Sequence, residues 1–198
     1  MPVVVTLDQR GSRRSVRSRA AEFADRLNAL PDVPTLRQFE VTVGDELQGV
    51  LAAPASLIPV LRVIARDGDW WVGIGIGFVE VWGESARLST GTAFVQARRA
   101  VDRAKKVAWG VAVEGAGWRP VNDLDRAIAL WITLLQTRSE RGWETIELRL
   151  GGLTEPEIAT RLGITQQAVN QRLRTAFLAQ DEEGARLIES IASEVPPP

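Results

Sequence analysis

The side chains between Gln166 and Arg174 carry the most pointed chemistry in this chain. Gln166, Gln167, Asn170, Gln171, Arg172 and Arg174 fall on one side of a helical repeat, and Ala168, Val169 and Leu173 fall on the other. Amide side chains match the hydrogen-bonding edge of adenine, and arginine matches guanine or a phosphate. No acid interrupts this face. The surrounding residues build a frame for it. Thr154 and Glu157 have the spacing of a capping box, with Pro156 tolerated in the first turn. Ile158, Ala159 and Leu162 form an apolar stripe, and Gly163 suits a left-handed helix end. Thr165 then caps the second helix and stands at the edge of its outer face. Two short helices at a sharp crossing, with small Ala159 and Gly163 between them, read as a helix-turn-helix that presents its second helix to the major groove of double-stranded DNA. The plainer reading is a helical hairpin with a solvated polar face.

A second group lies near the N-terminus. Asp8 ends an apolar run, and Asp45 and Glu46 sit in a turn between two alternating segments. If the two strands are neighbours, these carboxylates converge, and converging carboxylates suit Mg²⁺ completed by water and nucleotide phosphates. Arg10, Ser12, Arg13 and Arg14 follow Asp8 and suit phosphate oxygens. The plainer reading is that aspartate ends strands and makes turns through local capping, and that a basic loop is solvated.

The elements that must hold these residues follow from periodicity. Residues 3–7 predict a buried strand and residues 15–30 a helix on Phe23, Leu27 and Leu30. Alternation over 36–51 predicts a hairpin turning at Gly44-Asp45. Residues 54–66 predict a helix that starts or kinks at Pro59. Residues 70–82 predict one long strand, with Gly73, Gly75 and Gly77 on one face, open to a ligand or to a packed helix. Through residue 82 the order is βαββαβ, the arrangement of ferredoxin-like and palm domains, and a helix after Gly91 and a strand over 107–114 follow it. After Gly117 the pattern is helical only: 121–137, 140–150, the two-helix motif, and 180–192. The expected organisation is α+β, with a palm-like sensor or dimerisation domain over 1–117 and an all-α helix-turn-helix domain over 118–198.

Composition narrows the chemistry further. The chain has 198 residues, is 45% hydrophobic, and has a net charge of −1. DNA affinity would therefore come from a local patch and from two copies of the module, which implies a homodimer. There is no cysteine and no histidine, which excludes disulfides, thiolate metal sites, histidine-ligated zinc and serine-histidine triads. The lack of cysteine suits a reducing cytoplasm. No apolar run is long enough to span a bilayer. The apolar-then-basic N-terminus is the reverse of a signal peptide. Seven tryptophans stand at 70, 71, 82, 109, 118, 131 and 143, and the last three flank the expected domain junction.

TIELRLGGLTEPEIATRLGITQQAVNQRLRTA resembles the helix-turn-helix of sigma-factor region 4 and response-regulator DNA-binding domains, over about residues 140–178. The resemblance implies base and phosphate contacts from Gln166, Gln167, Asn170, Gln171 and Arg174. TLDQRGSR, VTVGDELQGVL, VGIGIGFVEV and GTAFVQARRA, in that order, resemble the SatD family over about residues 3–115, and more distantly class III nucleotide cyclases. The cyclase resemblance implies metal binding by Asp8 and Asp45. One departure counts against catalysis: those cyclases place an asparagine four residues before a transition-state arginine. Here Phe94 precedes Arg98 and Val95 precedes Arg99 at that spacing.

Three expectations follow. The first is a dimeric, sequence-specific transcription regulator on double-stranded DNA, whose first domain senses a nucleotide or other ligand. The second is a metal-dependent cyclase-like or nucleotidyl-transferase enzyme regulated by its helices. The third is a docking module for RNA polymerase or a sigma factor.

Overall fold

The computed structural model describes residues 1–11, 18–115 and 117–195. It is an α+β fold built on one mixed five-stranded sheet. In chain order the elements are β1 (Val3–Gln9), α1 (Ser18–Asn28), β2 (Thr35–Val41), β3 (Leu47–Leu51), α2 (Leu57–Asp67), β4 (Trp70–Ile76), α3 (Thr92–Ala104), β5 (Val111–Glu114), α4 (Arg119–Gln136), α5 (Glu140–Leu150), α6 (Glu155–Leu162), α7 (Gln166–Thr175) and α8 (Leu178–Ser193). Among the described residues no helix is long and apolar enough to cross a membrane.

The sheet order is β2-β3-β1-β4-β5. β1 is antiparallel to both β3 and β4, β2 is antiparallel to β3, and β5 runs parallel to β4. The strand period of two divides the central strand between two cores. Val3, Val5 and Leu7 join α1 and α2 on one face, and Val4 meets Ala93 and Ala97 of α3 on the other. The glycine face of β4 is filled by α3. A Cβ on Gly75 would overlap the backbone of Ala93 and Ala97, and one on Gly73 would overlap Ala97 and Val101. Glycine lets the helix backbone rest directly on the strand.

The hairpin turns where alternation places it. Gly44 (φ +66°) and Asp45 are the central residues of a turn closed by Glu46 N–H donating to Val43 O at 3.1 Å. A 3₁₀ turn over Pro54–Ser56 leads into α2, so Pro59 lies in that helix's first turn, where its missing N–H costs nothing. Two strands are shorter than their sequence pattern. β4 stops at Ile76, opposite Val3, because β1 begins there and offers nothing further to pair with. The chain then leaves the sheet, and Phe78 is exposed. β5 begins only at Val111, since residues 107–110 form a turn through Gly110 (φ +71°).

The apolar core crosses the expected boundary at residue 117. Val121, Leu124, Ile128, Ile132 and Leu135 of α4, with Ala185, Ile188 and Ala192 of α8, belong to the same buried cluster as the sheet's first face. α4 packs on β5 and α2, and α8 packs along α4 and on the Pro54–Ser56 turn. Burying each of the larger aliphatic side chains is worth about 1.5–3 kcal/mol, so these helices are integral to the sheet's stability. α5, α6 and α7 have a core of their own in Ile146, Ile158, Val169, Leu173 and Ala176.

Candidate nucleic-acid interface

The two-helix motif is shaped by its caps. Thr154 donates its N–H and its hydroxyl to Glu157 Oε2, each at 2.7 Å, and these bonds hold the Glu157 carboxyl below the usual range. α6 ends at Gly163 in the left-handed region (φ +64°), with Ile164 N–H donating to Ala159 O at 3.0 Å. Thr165 Oγ1 accepts from Ala168 N–H at 3.1 Å and so starts α7. Val169 and Leu173 are buried against Ile146 of α5 and Ile158 of α6. This apolar stripe fixes the rotation of α7, and with it the residues left outside.

Those residues are Thr165, Gln166, Gln167, Asn170, Gln171 and Arg174, all exposed. The side chains of Gln166, Gln167, Asn170, Gln171 and Arg174 make no hydrogen bond or ion pair among the described residues. Asn170 and Arg174 open onto a groove between α7 and α8, walled also by Arg149, Phe177 and Gln180. Arg172 differs from the outward position that its spacing suggests. It lies on the flank of the buried stripe, is largely covered, and donates to Glu144 Oε2 of α5 at 3.5 Å.

The acids near the N-terminus are mostly engaged. Lys105 Nζ, just past the end of α3, donates to Asp8 Oδ2, and Arg98 Nη1 on α3 donates to Glu46 Oε2. Thr42 Oγ1 also donates to Glu46 Oε1 at 3.1 Å. Asp45 Oδ2 is covered and has no hydrogen-bond partner. Among the described residues, no group of three or more acids stands together to hold a metal ion. Arg10 faces the sheet instead of a loop cavity. Its Nε donates to Trp70 O at 3.2 Å, its guanidinium lies 5.7 Å from the Trp71 ring centre, and Gly110 makes room for it. Ser12, Arg13 and Arg14 lie outside the described residues.

Sequence reasoning missed one centre. Asp181, in the first turn of α8, is fully buried. Its Oδ1 accepts from Arg62 Nη2 at 2.9 Å, Arg62 Nε at 3.2 Å and Trp131 Nε1 at 2.9 Å. Its Oδ2 accepts from Arg138 Nη2 at 2.9 Å. Arg138 is buried as well, its Nε donates to Ala176 O at 2.7 Å, and its guanidinium lies 4.7 Å from the Trp143 ring centre. Burial pulls the Arg138 pKa down, against the opposing pull of Asp181. The three charged residues are scattered through the chain, Arg62 on α2, Arg138 in the α4–α5 connection and Asp181 on α8. The nearest signal was the run of tryptophans, two of which, Trp131 and Trp143, line this centre.

Comparison with known proteins gives no matching family model, no matching curated protein and no matching solved structure.

Proposed function

We propose that this chain is a sequence-specific, double-stranded-DNA-binding transcription regulator. In this reading α6 and α7 form a helix-turn-helix, and α7 enters the major groove. The observation that carries it is the outer face of α7: four amides and one arginine, exposed, acid-free and unused within the fold. Buried polar side chains are normally partnered, but a surface row of polar side chains fixed by caps and a buried stripe is what base readout needs. The free N–H groups at the start of α7 add a phosphate-compatible end. The net charge of −1 makes a single module weak on DNA, so the working form is a homodimer acting in the cytoplasm.

The sheet body serves as a sensor or dimerisation unit. Its strand order and directions support a ferredoxin-like, palm-like arrangement extended by β5. The ion pairs that Asp8 makes with Lys105 and Glu46 makes with Arg98 favour this role over catalysis.

The test is capture of sheared genomic DNA by the purified protein, followed by sequencing, with and without nucleotides and Mg²⁺. Enrichment of a symmetric motif supports the reading. Arg174→Ala should lower affinity and flatten the salt slope by about one charge, and Gln167→Ala should alter preference at single base pairs by about 1–3 kcal/mol. No enrichment under any condition, or unchanged binding by both variants, overturns it.

A further inference from the structure

The unit α5–α7 joins the rest of the chain through residues 137–139, after α4, and through Ala176–Phe177, before α8. These two crossings touch. Arg138 in the first donates to Ala176 O in the second, and a Cβ on Gly142 would stand 3.1 Å from the Ala176 Cβ. Phe177 sits in the left-handed region (φ +57°), a conformation that costs an aromatic residue energy and persists only when its surroundings dictate it. Here its N–H donates to Arg174 O at 3.1 Å and its carbonyl accepts from Asp181 N–H at 2.9 Å. The angle between α7 and α8 is thus fixed at Asp181 and Arg138.

Helix α2 of the sheet body reaches both sides of this neck. Arg62 donates twice to Asp181 Oδ1 and lies 5.5 Å from the Trp131 ring centre. One turn on, Arg66 pairs with Glu147 of α5 and comes within 3.9 Å of Glu140 at the start of the same helix. Neither arginine fills the apolar core. Their side chains are 20% and 31% exposed, while Leu57, Val60, Leu61 and Ile64 hold α2 to the body. Removing either guanidinium takes away a connection between body and neck, yet leaves Asp181 paired with Arg138.

We infer that Arg62 and Arg66 are positioning residues for α7: they set the orientation in which the α5–α7 unit is held against the sheet body, Arg62 through Asp181 and Arg138, Arg66 through the acids of α5. The functional meaning of this rests on the DNA-binding reading; the orientation itself does not. α2 is therefore the element through which an event in the sheet body reaches the reading face.

The chain has no native cysteine, so two introduced ones are unique labelling sites. Spin labels at Glu22→Cys on α1 and Gln171→Cys on α7, both exposed positions, report the distance between body and unit by pulsed electron resonance on the full chain. The parent should give one narrow distribution. Arg62→Gln with Arg66→Gln should give a broad or divided one, and Arg62→Lys, which keeps charge but loses the two-pronged geometry, should fall between. Unlabelled Arg62→Gln/Arg66→Gln protein should bind the captured DNA about tenfold more weakly, the result of the competent orientation falling to about one tenth of the population. A single narrow distribution in every variant overturns the inference. Broadening in a protein that binds no DNA supports the inference and removes the DNA-binding reading alone. DNA binding with unchanged distributions does the reverse.

Discussion

Replacing Asp181 by Asn should be among the most damaging single changes available to this protein. The Asp181 carboxylate takes four donated hydrogen bonds and is the partner of Arg138, whose side chain is fully buried, and of Arg62. Asn keeps the shape but removes the charge, and its amide group must face either Arg138 or the Arg62–Trp131 pair, donor against donor. Breaking a buried pair from one side costs about 3–5 kcal/mol, because the remaining charge stays desolvated. At about 2–4 °C per kcal/mol for a chain of this size, the melting temperature should fall by roughly 6–20 °C. Tryptophan fluorescence on heating reads this directly, since Trp131 and Trp143 lie against the two arginines. Glu183→Gln is the control: its pair with Arg186 is exposed and screened by solvent, so its loss should leave the midpoint close to that of the parent. The triple change Arg62→Met, Asp181→Leu, Arg138→Met removes every charge together and should cost less than Asp181→Asn alone. A midpoint within about 2 °C of the parent for Asp181→Asn would refute the reasoning, as would a triple variant weaker than the single one.

Gly75→Ala drives a methyl into the backbone of α3 and should lower stability by about 3 kcal/mol, read from the urea midpoint at unchanged slope. Thr165→Ala removes the acceptor for Ala168 N–H and should cost about 1 kcal/mol, with faster amide exchange in the first turn of α7. Glu157 titrates below its ordinary range because Thr154 bonds its ionised form; α6 should therefore keep its N-terminal bonds above the ordinary glutamate pKa and lose them as pH falls through the lowered one. Carboxyl and Thr154 amide shifts followed together by NMR check this, and a Thr154 amide indifferent to acid would contradict it.

Local signals carried far in this sequence. Gly163, Thr165 and the stripe of Val169 and Leu173 mark both ends and the inner face of α7, because caps and periodicity are written within a few residues. Gly44-Asp45 marks the hairpin turn for the same reason. The end of β4 was not legible, because it is set by where β1 begins and not by the apolar run 70–82. The row of glycines announced a close approach without saying what approaches; α3 answers that only through the folded chain. Arg172 looked like its outward neighbours, and its pairing with Glu144 depends on where α5 lies. Arg62, Arg138 and Asp181 were invisible, since a single charge on a helix or in a short connection reads as solvated until distant elements close over it. The acids at 8 and 46 suit a metal by type alone, while the cations that pair with them, Arg98 on α3 and Lys105 just after it, lie far along the chain.

The sharing of one core by α4, α8 and the sheet has a consequence for how the protein is made. Residues 3–135 leave the α4 surface bare until Ala185, Ile188 and Ala192 of α8 arrive, some fifty residues later in the chain. The body therefore cannot close while it is still tethered to the ribosome at residue 175. The α5–α7 unit, whose core is local and whose two ends meet at Arg138 and Ala176, can fold beforehand as an insertion in an unfinished body. Removing α8 should thus leave the α5–α7 unit on a body whose α4 face is uncovered, and this sixteen-residue helix works as the latch that closes that face.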